Sequence, residues 1–305
     1  MDRRDFIMQL GVGLAASWAF AGLSWPLKAL GAGPKLCLAL LADAHLKDGD
    51  DRRPEAQALA RAVAGINALS RPPDLVLFAG DLAHQGRPDA LDLGRKILSD
   101  LSAPVWAVRG EGDCGRAGIA SWTRRFGSPY FSKPYGGVHF LGLDTVWQRT
   151  PRGQTFEIGP DQRVWLARQL TDLDSATPLV IVSHAPLAQL YLPWQQWTGD
   201  APMIAPLLAR FRQVLCLHGH THTVGARNNA NGENDFSRWS LADNQKLETE
   251  PSLYISLPAT AWPRPQAVQG TPAAVRRGLG PRGCGWALLN LNTSGVDFQP
   301  HLWQA

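Results

Sequence analysis

The chain has 305 residues, enough for one large domain or two modest ones. Hydrophobic residues make up 45% and charged residues 18%, a globular composition that excludes a disordered chain. Thirty Lys+Arg against 26 Asp+Glu give +4, a surplus too small and too spread to mark a nucleic-acid binder, and no repeat of about 20–50 residues points to a solenoid or propeller.

The chain opens with Arg3-Arg4 before Phe6-Ile7 and an uncharged, mildly apolar stretch over 6–27. Gln9, Gly11, Gly13, Ser17, Gly22, Ser24 and Pro26 interrupt that stretch. The pattern resembles a twin-arginine export signal more than a stable membrane span. Residues 1–33 are read as the signal, with an uncleaved anchor over 6–27 as the alternative, and 34–305 as a single domain. On this reading the protein is periplasmic or otherwise exported, and the export machinery is a transient partner. Cys37, Cys114, Cys216 and Cys284 lack CxxC spacing, so they form neither a zinc ribbon nor a dense disulfide framework. Cys37 and Cys216 lie in apolar runs and read as buried thiols.

Short apolar runs follow, each ending in a carboxylate or imidazole. Residues 35–42 end in Asp43-Ala44-His45, and 74–80 end in Asp81. Residues 104–108 lead to Gly110-Glu111-Gly112-Asp113. Residues 178–183 end in His184, and 213–217 lead to His218-Gly219-His220-Thr221-His222. Continuous apolar runs of this length suit strands buried on both faces. In open α/β sheets the carboxyl ends of such strands are where ligands bind. Residues 54–70, 88–101, 160–173 and 201–211 read as helices with Pro in the first turn. Residues 138–144 read as another strand. After His222 the chain turns polar, then yields strand-like runs at 252–257 and 286–291, so 225–305 reads as a β-rich part of the same α/β domain.

One His or Asp beside a strand means little, but several at once need a common cause. Asp43-x-His45 and His220-x-His222 would each place two ligands on one side of an extended segment. Imidazole with carboxylate suits zinc, manganese or iron. Asp43, His45, Asp81, Glu111, His184, His220 and His222 are too many for one tetrahedral ion. They are about right for two ions sharing a carboxylate.

Asp43-x-His45, Gly80-Asp81, Gly110-x-x-Asp113, Ser183-His184-x-Pro186 and Gly219-His220-Thr221-His222 resemble, in order and spacing, the motifs of the calcineurin-like metallophosphoesterases. The resemblance covers about residues 35–225, and the text over 43–222 is similar to the cyclic-nucleotide phosphodiesterase branch. It implies a four-layer α-β-β-α sandwich with a dinuclear site at the strand carboxyl ends. It implies a first metal on Asp43, His45 and His222, a second on Glu111, His184 and His220, and Asp81 as the bridge. The implied reaction is hydrolysis of a phosphodiester or phosphomonoester by a metal-bridging hydroxide, with a small phosphorylated substrate and no nucleic-acid polymer as partner.

The third motif departs from the family pattern, reading Gly-Glu-Gly-Asp where Gly-Asn-His-Asp/Glu is usual. Glu111 puts an anion in place of a neutral amide, and Gly112 removes the imidazole credited with protonating the leaving group. Asp43, Asp81, Glu111 and a hydroxide sum to −4, which cancels two divalent ions. A trivalent iron, or Arg109 as a catalytic cation, would restore positive potential. His84 is the better substitute proton donor, and His218 reads as a packed residue. Trp194 and Trp197, just past His184, are candidates to stack a flat substrate group. Restoring the motif with Glu111→Asn and Gly112→His is expected to recover activity if it has been lost. The alternative function is a metal-binding protein that holds a phosphorylated ligand without turnover.

Overall fold

The computed structural model describes residues 36–115, 118–150, 153–188, 197–228, 252–262, 283–292 and 295–303. The candidate export signal, Trp194 and the Asn-rich stretch over 229–250 lie outside these residues. Among the described residues no helix is long and apolar enough to cross a membrane.

The first half of the chain alternates strand and helix: β1 (Leu36–Leu41), α1 (Pro54–Asn67), β2 (Leu75–Ala79), α2 (Pro88–Leu98), β3 (Val105–Val108) and α3 (Gly118–Phe126). Then come β4 (Phe131–Tyr135), β5 (Val138–Leu143), the hairpin β6 (Val146–Thr150) and β7 (Gly153–Glu157), α4 (Pro160–Thr171) and β8 (Leu179–Ser183). The remainder is α5 (Ala205–Leu208), β9 (Val214–His218), β10 (Gly225–Asn228), β11 (Ser252–Ser256), β12 (Cys284–Asn292) and β13 (Gly295–Trp303). One sheet runs β13-β12-β1-β2-β3 and the other β10-β11-β9-β8-β5-β4.

The centre of each sheet is parallel, β1-β2-β3 in one and β5-β8-β9-β11 in the other, with antiparallel strands outside. Parallel strands covered on both faces must be apolar on both faces, which explains the continuous runs. Alternation still sorts the side chains. Leu36, Leu38 and Leu40 of β1 enter the core between the sheets, with Phe140, Val180, Val182, Leu215 and Leu217 of the other sheet. Ala39 and Leu41 face the opposite way, into a second core with Leu59 and Ile66 of α1, Leu91 of α2 and Trp122 of α3. On the far side, Leu141, Ile181 and Cys216 pack under Leu166 and Leu170 of α4 and Leu208 of α5. The result is a four-layer α-β-β-α sandwich with three apolar seams.

One sequence expectation needs correction, and three strands had none. The region 201–211 is not one helix but a 3₁₀ turn (Ala201–Met203) followed by the four-residue α5. Pro206 lacks the N–H that would bond the Pro202 carbonyl, and its ring collides there, so the helix divides. Strand β4 and the β6–β7 hairpin have no apolar alternation to betray them. Pro134 is tolerated in β4 because that strand is a sheet edge. Cys37, Cys216 and Cys284 are buried, Cys114 is partly so, and all four are free thiols.

Phe140 fills the space between the sheets, fully buried and edge-on to Trp106 at 5.5 Å. Phe140→Ala is expected to cost about 3–5 kcal/mol. The check is a lower urea midpoint at unchanged slope.

Candidate metal centre

Because the central strands of each sheet run parallel, their carboxyl ends bring five ligand-bearing segments to one rim. Strand β1 ends at Leu41 and β9 at His218, before their ligand pairs begin. The pairs are therefore not extended, as spacing alone suggested. Asp43, His45, Asp81, His220 and His222 all have positive φ, between 51° and 65°. Non-glycine residues adopt this left-handed conformation at a cost of about 1–3 kcal/mol each, and only where the surroundings impose it. Here the loops lock one another. The N–H groups of Asp43, His45 and Leu46 donate to the carbonyls of Gly80, Asp81 and Leu82, each at 2.9 Å, and His84 N–H returns to Leu46 at 2.8 Å.

The side chains converge in two groups that share a middle. Asp43, His45 and His222 form the first, with His45 Nε2 2.9 Å from His222 Nε2 and His222 Nε2 3.3 Å from Asp43 Oδ1. Glu111, His184 and His220 form the second. Glu111 Oε2 lies 2.8 Å from His184 Nε2, and Oε1 lies 2.9 Å from His220 Nδ1. Asp81 stands between them, Oδ2 facing His45 Nε2 at 3.6 Å and Oδ1 facing His184 Nε2 at 3.5 Å. Two imidazoles are also held from behind. His184 Nδ1 meets the Ala79 carbonyl at 2.8 Å, and His222 Nδ1 meets the Trp262 carbonyl at 2.6 Å. Such contacts put the ring proton on Nδ1 and leave the Nε2 lone pair facing the centre.

The donor set fits metal ions. Glu111 Oε2 and His184 Nε2 are buried and close, yet neither makes a hydrogen bond of acceptable geometry. Buried polar atoms without partners are costly unless something else satisfies them. The carboxylates show the same need. Burial, aided by Glu111, Asp113 and Asp43, pushes the Asp81 carboxyl well above its ordinary range, with His184 opposing. Burial opposes ionisation of Glu111 as well, but His184 and His220 hold its carboxyl well below the usual range. For Asp43 burial is likewise overcome, first by His222. Burial lowers His45 to about 4, so it faces the centre neutral at pH 7. Imidazoles and carboxylates gathered in this way suit zinc, manganese or iron.

The chain around Glu111 is shaped to this packing. Residues Glu111–Asp113 form a 3₁₀ turn. Asp113, fully buried, accepts the N–H of Ala83 at 2.8 Å and that of Gly110 at 2.9 Å, clamping two ligand loops together. Gly112 N–H donates to Asp81 Oδ1 at 2.6 Å. A Cβ on Gly110 would lie 2.1 Å from Asp81 Oδ1, and one on Gly112 would lie 2.7 Å from the Ala83 carbonyl. The missing imidazole at 112 thus suits the local packing, since any Cβ there would press on the backbone of the Asp81 loop and require it to shift.

Other sequence candidates fall outside the centre. Arg109 is 6% exposed and bound to Asp144, Nε at 2.9–3.0 Å and Nη2 at 2.8 Å. Asp144 is anchored in turn by Gln162, which exchanges hydrogen bonds with its backbone. Arg109 is therefore half of a neutral buried pair that fixes the end of β5 and does not restore positive potential. His84 is exposed, and its loop joins that of His45 through the backbone. His218 is buried against Gly219 O at 3.0 Å, as a packed residue would be, and burial lowers it to about 4. Trp197 is half-buried beside Thr198, whose N–H bonds the Pro186 carbonyl. Sequence reasoning missed the Trp262 carbonyl, 40 residues from His222, because no motif marks it.

Comparison with known proteins agrees with this architecture. The family model described as calcineurin-like phosphoesterase matches residues 38–224. The chain is 30% identical over 174 residues to a probable cyclic nucleotide phosphodiesterase of Synechococcus sp., covering 53% of this chain and 63% of that protein. It is 24% identical over 180 residues to a probable glycerophosphodiester phosphodiesterase of Arcobacter nitrofigilis, covering 55% and 63%. The chain thus spans less than two thirds of the length of these curated relatives. The crystal structure of a dimetal phosphatase from Danio rerio superposes with a TM-score of 0.58 at 15% identity, covering 87% of this chain and 99% of that one, a likeness of fold.

The crowding at Gly112 reverses the expectation that restoring the usual motif recovers function. Gly112→His, alone or with Glu111→Asn, is expected to cost about 1–3 kcal/mol by overpacking. It should also lower the metal content per chain, as elemental analysis beside a urea titration would show.

Proposed function

The chain belongs to the calcineurin-like phosphoesterase family, and on that premise we propose that it is a metal-dependent phosphohydrolase acting on a small phosphodiester. The observation that carries this reading is Asp81, whose two oxygens face the two donor groups separately. A carboxylate so placed would hold two ions as a pair. Two ions held there would supply Lewis acidity toward phosphoryl oxygens and would lower the pKa of water enough to provide a hydroxide nucleophile at neutral pH.

The chain's own residues do the rest. Gly112 N–H fixes the rotation of Asp81, and the Ala79 and Trp262 carbonyls fix the His184 and His222 rings. A preorganised frame of this kind avoids reorganisation during reaction. With a hydroxide counted, Asp43, Asp81 and Glu111 bring the anionic charge to −4 against +4 from two divalent ions, a neutral centre, where a neutral ligand in place of Glu111 would leave +1. A neutral centre gives up the extra attraction a doubly charged monoester would need and so favours a singly charged diester. The phosphodiesterase names of two relatives point the same way. Without a side chain at 112, protonation of the leaving group falls to water or to the exposed His84. We read Arg3-Arg4 and the stretch after it as an export signal for the folded domain, placing the reaction outside the cytoplasm.

A second reading, binding of a phosphorylated ligand without turnover, is favoured only by the empty side-chain position at Gly112. Hydrolysis of bis(p-nitrophenyl) phosphate and p-nitrophenyl phosphate with manganese, iron or zinc separates the two. The nitrophenolate leaving group needs no proton, so loss of a general acid is not felt. Turnover is expected, faster on the diester. Asp81→Asn should reduce it more than the roughly 10–100-fold typical of groups that merely support ligands. Metal-loaded protein with no turnover on either ester would establish the second reading.

A further inference from the structure

Four basic side chains stand on the loops that carry Asp43, His45 and Asp81: Lys47, Arg52, Arg53 and Arg87. Three are paired with carboxylates, Arg52 with Asp50 at 2.9 Å, Arg53 with Asp48 at 2.6 Å and Arg87 with Asp89 at 2.8 Å. Arg109 is held by Asp144. Among the described residues Lys47 makes no ion pair. Its Nζ lies over the ring of Trp262, 4.4 Å from the centroid.

Trp262 is unusual in two respects. Its side chain is large and apolar yet 46% exposed, and its backbone has a φ of 58°. A bulky residue in that conformation is a genuine outlier that the surroundings must impose. The imposing contacts are those of the metal centre. The Trp262 carbonyl accepts His222 Nδ1 at 2.6 Å, and the preceding Ala261 N–H donates to Asp43 O at 3.2 Å. Lys47 follows His45 by two residues. The ammonium and the indole are therefore both attached to backbone that holds the first donor group, and both are exposed to solvent.

We propose that Lys47, held over the Trp262 indole beside His45 and His222, is the phosphate-anchoring cation of this site. This rests on the phosphoesterase reading. An ammonium over an indole face keeps its charge and its three donors, so Lys47 is free to give a hydrogen bond to a non-bridging phosphoryl oxygen. Its charge supplies the positive potential that Glu111 cancels at the centre. Trp262 is the positioning residue: it restrains a long, flexible side chain that would otherwise lose entropy on binding. The exposed remainder of the indole offers a flat face to the organic part of the ester.

The test uses inorganic phosphate and the manganese-loaded chain, by titration calorimetry, with metal content measured alongside. Lys47→Ala is expected to weaken phosphate binding about tenfold, the size of one charge-assisted hydrogen bond. Lys47→Arg should restore most of it. Trp262→Ala should fall between and Trp262→Phe, which keeps a π face, should lie near wild type, all four variants retaining their metal. Unchanged phosphate affinity in Lys47→Ala with full metal content would overturn the inference and leave the phosphoesterase reading standing. Loss of metal in Lys47→Ala would also overturn it, by making Lys47 a support of the loop. Wild-type protein that binds metal but no phosphate would overturn both.

Discussion

The structure depends on one electrostatic constraint: three carboxylates, Asp43, Asp81 and Glu111, share a buried rim. Taking a charged carboxylate out of water is expensive, and like charges side by side add to the cost. Without cations the group resolves the conflict unevenly. His184 and His220 keep Glu111 ionised, while Asp81, between two other carboxylates, is driven toward its neutral form. Two ions would remove the conflict, because each would meet carboxylate oxygen and imidazole nitrogen from its own group. The strained loops, the orphaned Glu111 and His184 atoms and the carbonyls behind the rings are all explained by that need.

The fold answers it geometrically. Neither sheet alone can supply the set. Asp43, Asp81 and Glu111 come from the ends of β1, β2 and β3 in one sheet, and His184, His220 and His222 from the ends of β8 and β9 in the other. The apolar seam around Phe140 and Leu38 sets how close the two rims approach. The ligand side chains are then aimed by left-handed backbone at alternate positions, 43 and 45, 220 and 222. Asp113 and Gly110 close the arrangement by joining the Asp81 and Glu111 loops.

Much of this was legible in the sequence, for identifiable reasons. The central strands were visible because burial on both faces leaves uninterrupted apolar runs, as in 36–41 and 179–183. Helices α1, α2 and α4 were visible because each begins at a proline and carries an apolar stripe. The candidate donors were legible from residue type at strand ends. Local conformation did not, since Asp43 and His45 look alike whether extended or left-handed. Tertiary partners were equally hidden. Nothing in the text near Arg109 says that Asp144 takes its charge, and nothing near Gly112 shows that the Ala83 carbonyl stands close to where a Cβ would lie. Trp262 reaches His222 only through the fold.

The central claim is that these side chains hold two ions with Asp81 between them. Elemental analysis of the purified protein, with X-ray absorption to read the metal–metal vector, tests it most directly. The account predicts two ions per chain about 3.5–4 Å apart, in mixed nitrogen and oxygen coordination. One ion per chain, or two with no metal–metal vector at that distance, would contradict it.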